Sequence, residues 1–528
     1  MATTRREASR GASIEDLARS VAGPVLTPVD PGFEEAAACF NLAVVHRPDV
    51  VVGATSAADV ATAVRWAAMR DLSVHVQATG HGATVPIQGG VLITTSRMQG
   101  LRIDPHARLA TIEAGVRWRK VIDEAAPFGL APLSGSSSSV GAIGYTLGGG
   151  LPVLGRTFGY ASDRAVAFDL VTADGELRHV TPDDGELFWA LRGGKPNVGI
   201  VTALTTELLE LTAFYGGSIF YDGRHAASLL RAYAAWSPGL PEAISTSLAF
   251  SRRPDAPGVP EPLRGRFSVQ LTVAFVGDAA DGEALVRPMR EAAPAVLDLV
   301  GPMPYTDVDH VHYDPEHPLP LAHGTTVVEA LTPGAADALL AEAGSDATTP
   351  LLMVQLRHLG GALARRAAPD AVDLRAAGVP GLLRGRARAR RRRGGGGGHR
   401  PGLRRPGAVR DGLDVRQHAR SRPLGGGPPP SLGARHGRCP RRPQGAARPR
   451  PPLPVRPLGL ALAAWVSIGQ VRRRSGARAK GDPVGRDAEP SPRRTRRSSP
   501  PYCCPGRGCC LLEGLAARCV AARVRLRL

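Results

Sequence analysis

Two stretches of small residues could do chemistry in this chain. The longer runs from Ser134 to Gly150, SGSSSSVGAIGYTLGGG. With no Cβ to block the approach, and with Gly free to adopt positive φ, such a stretch can form an extended loop whose backbone N–H groups come close to a phosphate. The ligand this predicts is a large phosphorylated cofactor. A flexible Gly/Ser linker has the same composition, but Val140, Ile143 and Leu147 recur as they do in a segment that packs. The shorter stretch is the turn Thr79-Gly80-His81-Gly82-Ala83. A histidine flanked by glycines can hydrogen-bond a phosphate or the backbone, and two Gly-rich loops from separate parts of the chain could grip one extended ligand.

The elements that must position these loops are legible around them. A polar arm over residues 1–45 leads to a helix near Gly32 to Phe40. Val50 to Val52 reads as a short strand ended by Gly53. Ser56 with Asp59 three residues on is a capping box for a helix whose apolar face is Val60, Val64 and Ala67. Alternation at Val74 and Val76 makes Ser73 to Ala78 a strand, which completes a β-α-β unit and delivers the chain to His81. A nicotinamide-type dinucleotide fold would put its glycine fingerprint between the first strand and first helix. Only Val52-Gly53-Ala54-Thr55 stands there. Strands at Leu92 to Thr95 and Ala110 to Glu113 and a helix from Trp118 to Ala126 then lead into the serine-rich loop.

The net charge of +19 would suggest nucleic acid or an acidic membrane as partner, but it divides unevenly. Residues 1–365 hold 28 Lys+Arg against 39 Asp+Glu, whereas 366–528 hold 38 against 8. The first part is long enough for two domains with real cores; the second is rich in Pro, Arg and Gly runs that cannot bury apolar surface. Cys39 stands alone in the first part and the other six cysteines lie in the second, as in a reduced, disulfide-free body. No apolar signal segment opens the chain, and the run LGLALAAWVSIG is too short to span a bilayer. A cytoplasmic protein without membrane attachment is expected.

The succession TGHG, GGVLITTSRMQGLRIDP, IEAGVRW, GSSSSVGAIGYTLGGG, FDLVTADGELRHV and LFWALRGGKPNVGIVT resembles the FAD-linked oxidases of the vanillyl-alcohol oxidase superfamily, with PCMH-type FAD-binding domains, in the berberine-bridge-enzyme-like branch. It covers about residues 46–212, and weaker similarity continues through LRHLGGALAR. The resemblance implies an α+β fold: two FAD-binding subdomains over 46–212, then an α+β substrate domain over 213–365, incomplete, whose antiparallel sheet covers the flavin ring. A disordered basic tail over 366–528 follows.

The same resemblance implies site residues. His81 falls on the histidine that many members link to the flavin 8α-methyl, where a neutral imidazole nitrogen can add to an electrophilic carbon. Bicovalent members carry a cysteine where this chain has Ser137, and a hydroxyl is far less nucleophilic than a thiolate, so one covalent bond is expected. Gly80, Gly82, Ala83, Gly135, Val140, Gly141 and Gly144 fall on the pyrophosphate and ribityl cradle. Gly148, Gly149 and Gly150 would pass close to the ring, and Gly199, Ile200 and Val201 match positions near the adenine. Pro152 and Lys195-Pro196 depart from the usual glycines. Asp163, Asp169 and Asp174-Gly175 read as loop, strand and hairpin-turn residues rather than acids or bases.

Beyond Phe214 the period changes to that of long strands and an amphipathic helix. His310, His312, His317 and His323 tempt a metal reading, but irregular spacing and three intervening prolines argue for a loop, and no metal is expected. Tyr305 and Tyr313 could face the ring as proton acceptors; no catalytic base is assigned.

The function expected is an FAD-dependent oxidase that passes hydride from an alcohol or amine C–H of a small organic or sugar-like substrate to flavin N5, with O2 as acceptor. Its rivals are an inactive, frameshifted relative that at most binds FAD, and a nucleic-acid binder using the basic tail, which has hardly any aromatics for stacking. The tail has the look of a GC-rich frame displaced by one nucleotide. Permitted codons for residues 439–458, moved one base, read ARAVRKARHDPDHLFRFGH, which resembles the family's C-terminal end. Sequencing the nucleotides that encode residues 360–400 is expected to reveal a coherent continuation in the neighbouring frame. An intact frame with no such continuation discards the out-of-frame reading.

Overall fold

The computed structural model describes residues 13–328, 330–365, 368–372, 375 and 381–388, all within one compact unit. The N-terminal segment is more than an arm. Helix α1 (Ile14–Ser20) is capped by Ser13, and strand β1 (Val25–Leu26) is an edge of the first sheet. The helix expected near residues 32–40 is shorter, α2 (Phe33–Ala37), because Gly32 at φ 82° starts it and Ala38 is already extended. Strand β2 (Val50–Gly53) is buried along its whole length, as a central parallel strand requires. Helix α3 (Ala57–Ala68) follows, with Val60, Val64 and Ala67 buried. Ser56 caps it as expected, but Asp59 does not complete the box: its carboxylate accepts from Thr55 N, Thr55 Oγ1 and Ala22 N. That ties α3 to the segment before β1. Strands β3 (Val74–Gln77) and β4 (Val91–Thr94) complete a sheet in the order β1-β2-β4-β3, parallel except at β1.

The second sheet is antiparallel. Its strands are β5 (Leu101–Asp104), β6 (Leu109–Glu113), β8 (Ala165–Val171), β9 (Leu177–Val180) and β10 (Ile200–Glu207), in the order β5-β6-β10-β8-β9. A short ladder of β7 (Leu130–Ala131) with β11 (Leu209–Glu210) lies apart from it. Helix α4 (Trp118–Ala125) leads to the serine-rich stretch, which is not wholly extended: Ala142–Thr146 forms α5. Ile143 and Leu147 are buried in the core shared by the first two sheets, which excludes the linker reading. The turn of the β8–β9 hairpin holds Asp174 and Gly175, with Gly175 at φ 78°.

The third sheet has eight strands among the described residues: β12 (Ala213–Asp222), β13 (Ile244–Arg252), β14 (Phe267–Phe275), β15 (Ala295–Asp298), β16 (Gly301–Pro304), β17 (Leu321–Val328), β18 (Leu351–His358) and β19 (Gly381–Arg388). Strict alternation gives it two unlike faces. Val269, Leu271, Val273 and Phe275 of β14 pack with Leu229, Leu230, Val286 and Leu339. Those partners come from three helices between strands, residues Ala226–Trp236, Ala279–Ala292 and Pro333–Ala343. The other face is a buried polar lattice. Gln270 donates to Ser218 Oγ and the His312 carbonyl, Ser247 and Thr272 share a 2.5 Å bond, Gln355 donates to Ser247 Oγ, and Arg357 donates to Gln355 Oε1.

The boundary at residue 365, beyond which a coreless tail was expected, is corrected. Strand β19 pairs with β18 on one side and β17 on the other, and backbone ladders on both edges hold a strand whose composition alone reads as tail. Asp370, Val372 and Arg375 are buried. The rest of the basic segment, with its six cysteines, lies outside the described residues. Among the described residues no helix is long and apolar enough to cross a membrane, and no group of three or more His, Cys, Asp or Glu side chains could hold a metal ion.

Three arginines fasten these parts. Arg156, in the helical turn Gly155–Phe158, is 5% exposed. It donates to the carbonyls of Leu240, Pro241, Ile244 and Leu359 and to His358 Nε2. Arg192 and Arg375 converge on Asp163 Oδ1 at 3.2 and 2.5 Å, and Arg375 Nε lies 2.9 Å from Asp370 Oδ2. Asp163 is thus a structural carboxylate holding two buried guanidinium groups. Asp163→Leu leaves Arg192 without an acidic partner and Arg375 with Asp370 alone, and is expected to lower unfolding free energy by about 3 kcal/mol, read as a drop in the denaturant midpoint at unchanged slope.

Candidate active site

Strand β3 ends at Gln77 and the chain turns at once through Thr79 to Ala83. Gly80 takes φ +70°, and a Cβ there would fall 2.3 Å from Cys39 Cβ, so only glycine fits. The turn puts the imidazole of His81 beside the serine loop. Its Nδ1 is 2.8 Å from Thr79 Oγ1 and its Nε2 is 3.2 Å from Ser139 Oγ, while Ser139 is bonded in turn to Ser137 Oγ at 2.7 Å. The Phe40 ring stacks on the imidazole, with centroids 3.8 Å apart and planes 17° apart. Burial, and then the charge of Arg117, push the His81 pKa down to about 4, against an opposing pull from Asp314. The ring is neutral at physiological pH.

The serine loop is held from the third sheet's side. Tyr305 Oη accepts from Ser134 N and is bonded to Pro132 O and Ser134 Oγ. Asp309 accepts from Ser138 N and Ser138 Oγ, and Asp314 accepts from Ser136 Oγ at 2.6 Å. The segment rich in histidine therefore holds the serine loop through its acids and its tyrosine. Tyr305 is buried against the loop, and its phenol is engaged there by Pro132 and Ser134. Tyr313 stacks with His310, 5.7 Å between centroids, and does not line the cleft.

Between these parts lies a cleft of about 390 Å³. Of the residues singled out from the sequence, His81, Gly135, Ser137, Val140 and His323 line it. Sequence reasoning missed Phe40, Asn41, Tyr145, Asp314 and Arg357, which line it too. Tyr145 had a signal, as the one aromatic in a run of small residues, and Arg357 sits in the weakly similar LRHLGG. Gly135 and Gly150 make room for the Tyr145 ring, which a Cβ would approach to 2.8 and 2.5 Å. Gly149 and Gly150 turn the chain at φ +90° and +69°, and Lys195 crosses Gly148, where a Cβ would meet its Nζ at 2.4 Å. Pro152 packs against Gly155. Gly141 is in ordinary contact with Ala78 and Thr79, Ala83 accepts a bond from Asn41 Nδ2, and Gly199 lies against the Val171 carbonyl. Ile200 and Val201 are core residues at the start of β10 rather than cleft residues.

Two features of the site fit a bound cofactor. A Cβ on Gly82 or Gly144 would meet nothing within 4 Å, so these glycines leave backbone open to an incoming group that the protein itself does not fill. The Tyr145 hydroxyl is buried without a hydrogen-bond partner, and burial pushes its pKa well above the usual value, so it is a protonated donor facing no acceptor of this chain.

A sequence profile described as FAD binding domain matches residues 48–181. The chain thus carries an FAD binding domain over these residues and is similar to FAD-linked oxidoreductases. It is 33% identical over 226 residues to (R)-6-hydroxynicotine oxidase of Paenarthrobacter nicotinovorans, 42% of this chain and 46% of that one. The crystal structure of 6-hydroxy-D-nicotine oxidase from Arthrobacter nicotinovorans superposes with TM-score 0.57 at 26% identity, covering 70% of this chain and 81% of that one. A berberine-bridge-like enzyme of Physcomitrella patens shares the fold, with TM-score 0.61 at 17% identity and coverage of 72% and 84%. The chain spans 46% of the first of these curated relatives and between 38% and 69% of the others. The mixed helix and sheet architecture matches the PCMH-type FAD-binding fold.

His358 is also held neutral, pushed down to about 4 by burial and the neighbouring Arg156. A histidine whose pKa is lower folded than unfolded binds more protons when unfolded, so stability rises with pH between the two values. The protein is expected to lose thermal stability as pH falls from about 6.5 towards 4. The variant His81→Ala should show a shallower slope of melting temperature against pH in that window.

Proposed function

We propose that the chain is an FAD-dependent oxidase that takes hydride from an alcohol or amine C–H of a small organic or sugar-like molecule, with O2 as the final acceptor. In this reading FAD is attached by one bond, through His81. The observation that carries it is convergence: a neutral imidazole, two glycine-rich loops and the polar face of a large antiparallel sheet meet at one cleft. The flavin, when bound, supplies an electron-accepting N5 and an electrophilic 8α-methyl carbon.

The chain's own residues supply the rest. His81 offers an unprotonated nitrogen, held at both ring edges by the hydroxyls of Thr79 and Ser139. Ser137, where a second attachment would need a thiolate, offers a hydroxyl. Gly82 and Gly144 let the backbone approach phosphate and ribityl groups. Tyr145 donates from a dry environment, while Ser136, Asp314 and Arg357 form a polar wall: Asp314 accepts from Ser136, and Arg357 lies 3.4 Å from the same hydroxyl. A substrate with hydroxyl or amine groups finds both donors and acceptors there. The similarity to an enzyme named as an oxidase supports the choice of reaction class.

Denaturing the purified holoprotein in acid tests the attachment. Yellow colour is expected to stay on the polypeptide, whereas His81→Ala should release it while still binding FAD in the native state, and should oxidise substrate more slowly. Colour lost from the unmodified protein overturns the covalent assignment.

A further inference from the structure

We infer that Phe40 is a positioning residue for cofactor attachment, fixing the plane of the His81 imidazole and shielding it from water so that an unprotonated nitrogen meets the flavin 8α carbon. The inference rests on the reading of His81 as the attachment point. Phe40 lies before residues 48–181, which the FAD binding domain profile matches.

The contacts fix the plane of the imidazole, and of its two edge bonds the longer one, from Nε2 to Ser139 Oγ at 3.2 Å, is the one that gives way when a nitrogen meets the flavin. Thr79 Oγ1 and Ser139 Oγ fix its two edges, and the parallel Phe40 ring at 3.8 Å covers a face. Phe40 is itself locked. Cys39 on one side packs so closely on Gly80 that no side chain could be added there. Asn41 on the other side donates to the Ala83 carbonyl and accepts from Leu321 N. The tripeptide is thereby stitched to the histidine turn and to β17 at once. A leucine or alanine in place of Phe40 would keep the stitching and lose the planar cover.

The cover matters for the chemistry. Attachment replaces one C–H of the 8α-methyl by a C–N bond. The methyl hydrogen and the imidazole N–H hydrogen leave as two protons, and the two electrons released pass to O2, which departs as H2O2. Only the neutral imidazole has the lone pair for this step. The charged groups acting on the ring are Arg117, which disfavours its protonation, and Asp314, which favours it. The hydroxyls of Thr79 and Ser139 are neutral, so the outcome turns on how well water is kept away.

The test reconstitutes the full-length apoprotein with FAD in air and follows flavin that stays on the acid-denatured polypeptide, alongside total FAD bound before denaturation. The proteins are wild type, Phe40→Ala, Phe40→Leu and Phe40→Trp. Phe40→Ala is expected to bind FAD and attach it about three- to tenfold more slowly. Its rate should also fall below about pH 6.5, the range of an unshielded imidazole, where wild type stays flat to about pH 5. Phe40→Trp should restore both rate and profile. If Phe40→Ala fails to bind FAD, Phe40→Leu, which keeps apolar volume, carries the rate comparison. Wild-type rate and wild-type pH profile in the variant that binds FAD overturn the inference while the attachment reading stands. No covalent flavin in wild type overturns that reading and the inference with it.

Discussion

The grip of residues 305–314 on the serine loop is the interaction on which the cleft depends. A run such as SGSSSSVG has little side-chain packing to choose one backbone path, and ordering it costs conformational entropy at every residue. Tyr305, Asp309 and Asp314 supply the choice by bonding Ser134, Ser138 and Ser136 in turn. Ser139, set in place by its neighbours, then holds one edge of His81. The glycine turn, the serine loop and the segment after the third sheet's β16 are therefore one assembly, although they are far apart in the chain.

The third sheet divides its labour by face. Odd positions of β14 bury apolar side chains under helices and contribute the hydrophobic stabilisation of that half of the molecule. Even positions carry Gln270 and Thr272, which with Ser218, Ser247 and Gln355 form a lattice of five bonded side chains. Such a lattice is rigid because a broken bond leaves a group unpaired in a dry place. Arg357 extends it into the cleft. Of the polar wall of the site, Arg357 is the rim of this sheet, while Ser136 and Asp314 come from the loops beside it.

Much of this was legible in the sequence. The strand before His81, the capped helix α3 and the alternation of β14 follow from periodicity and local chemistry, which do not need the rest of the fold. His81, Gly135, Ser137 and Val140 could be placed because glycine-rich motifs leave a strong local mark. Phe40, Asp314 and Arg357 could not. Each reaches the cleft through long-range packing, and an isolated aromatic, acid or arginine has a dozen ordinary uses. Strand β19 escaped for a related reason: GLLRGRAR is held by ladders on both edges, and nothing in its composition announces that. Asp59 shows the limit at the scale of one residue, since its spacing promised a local cap and its carboxylate instead went to Ala22 and Thr55.

Arg156 has a bearing on how molecules get in. It joins the turn that follows the glycine run to the carbonyls at both ends of the third sheet's β13 and β18 neighbourhood, with no carboxylate among its partners. Opening the junction like a jaw would strip four carbonyls and an imidazole from a single guanidinium, whose planar fork makes all those bonds at once. The two halves are riveted. A junction so bonded is set as the chain folds, and the cleft lined by Phe40, Asn41 and Leu319 takes its shape beside a seam that does not hinge.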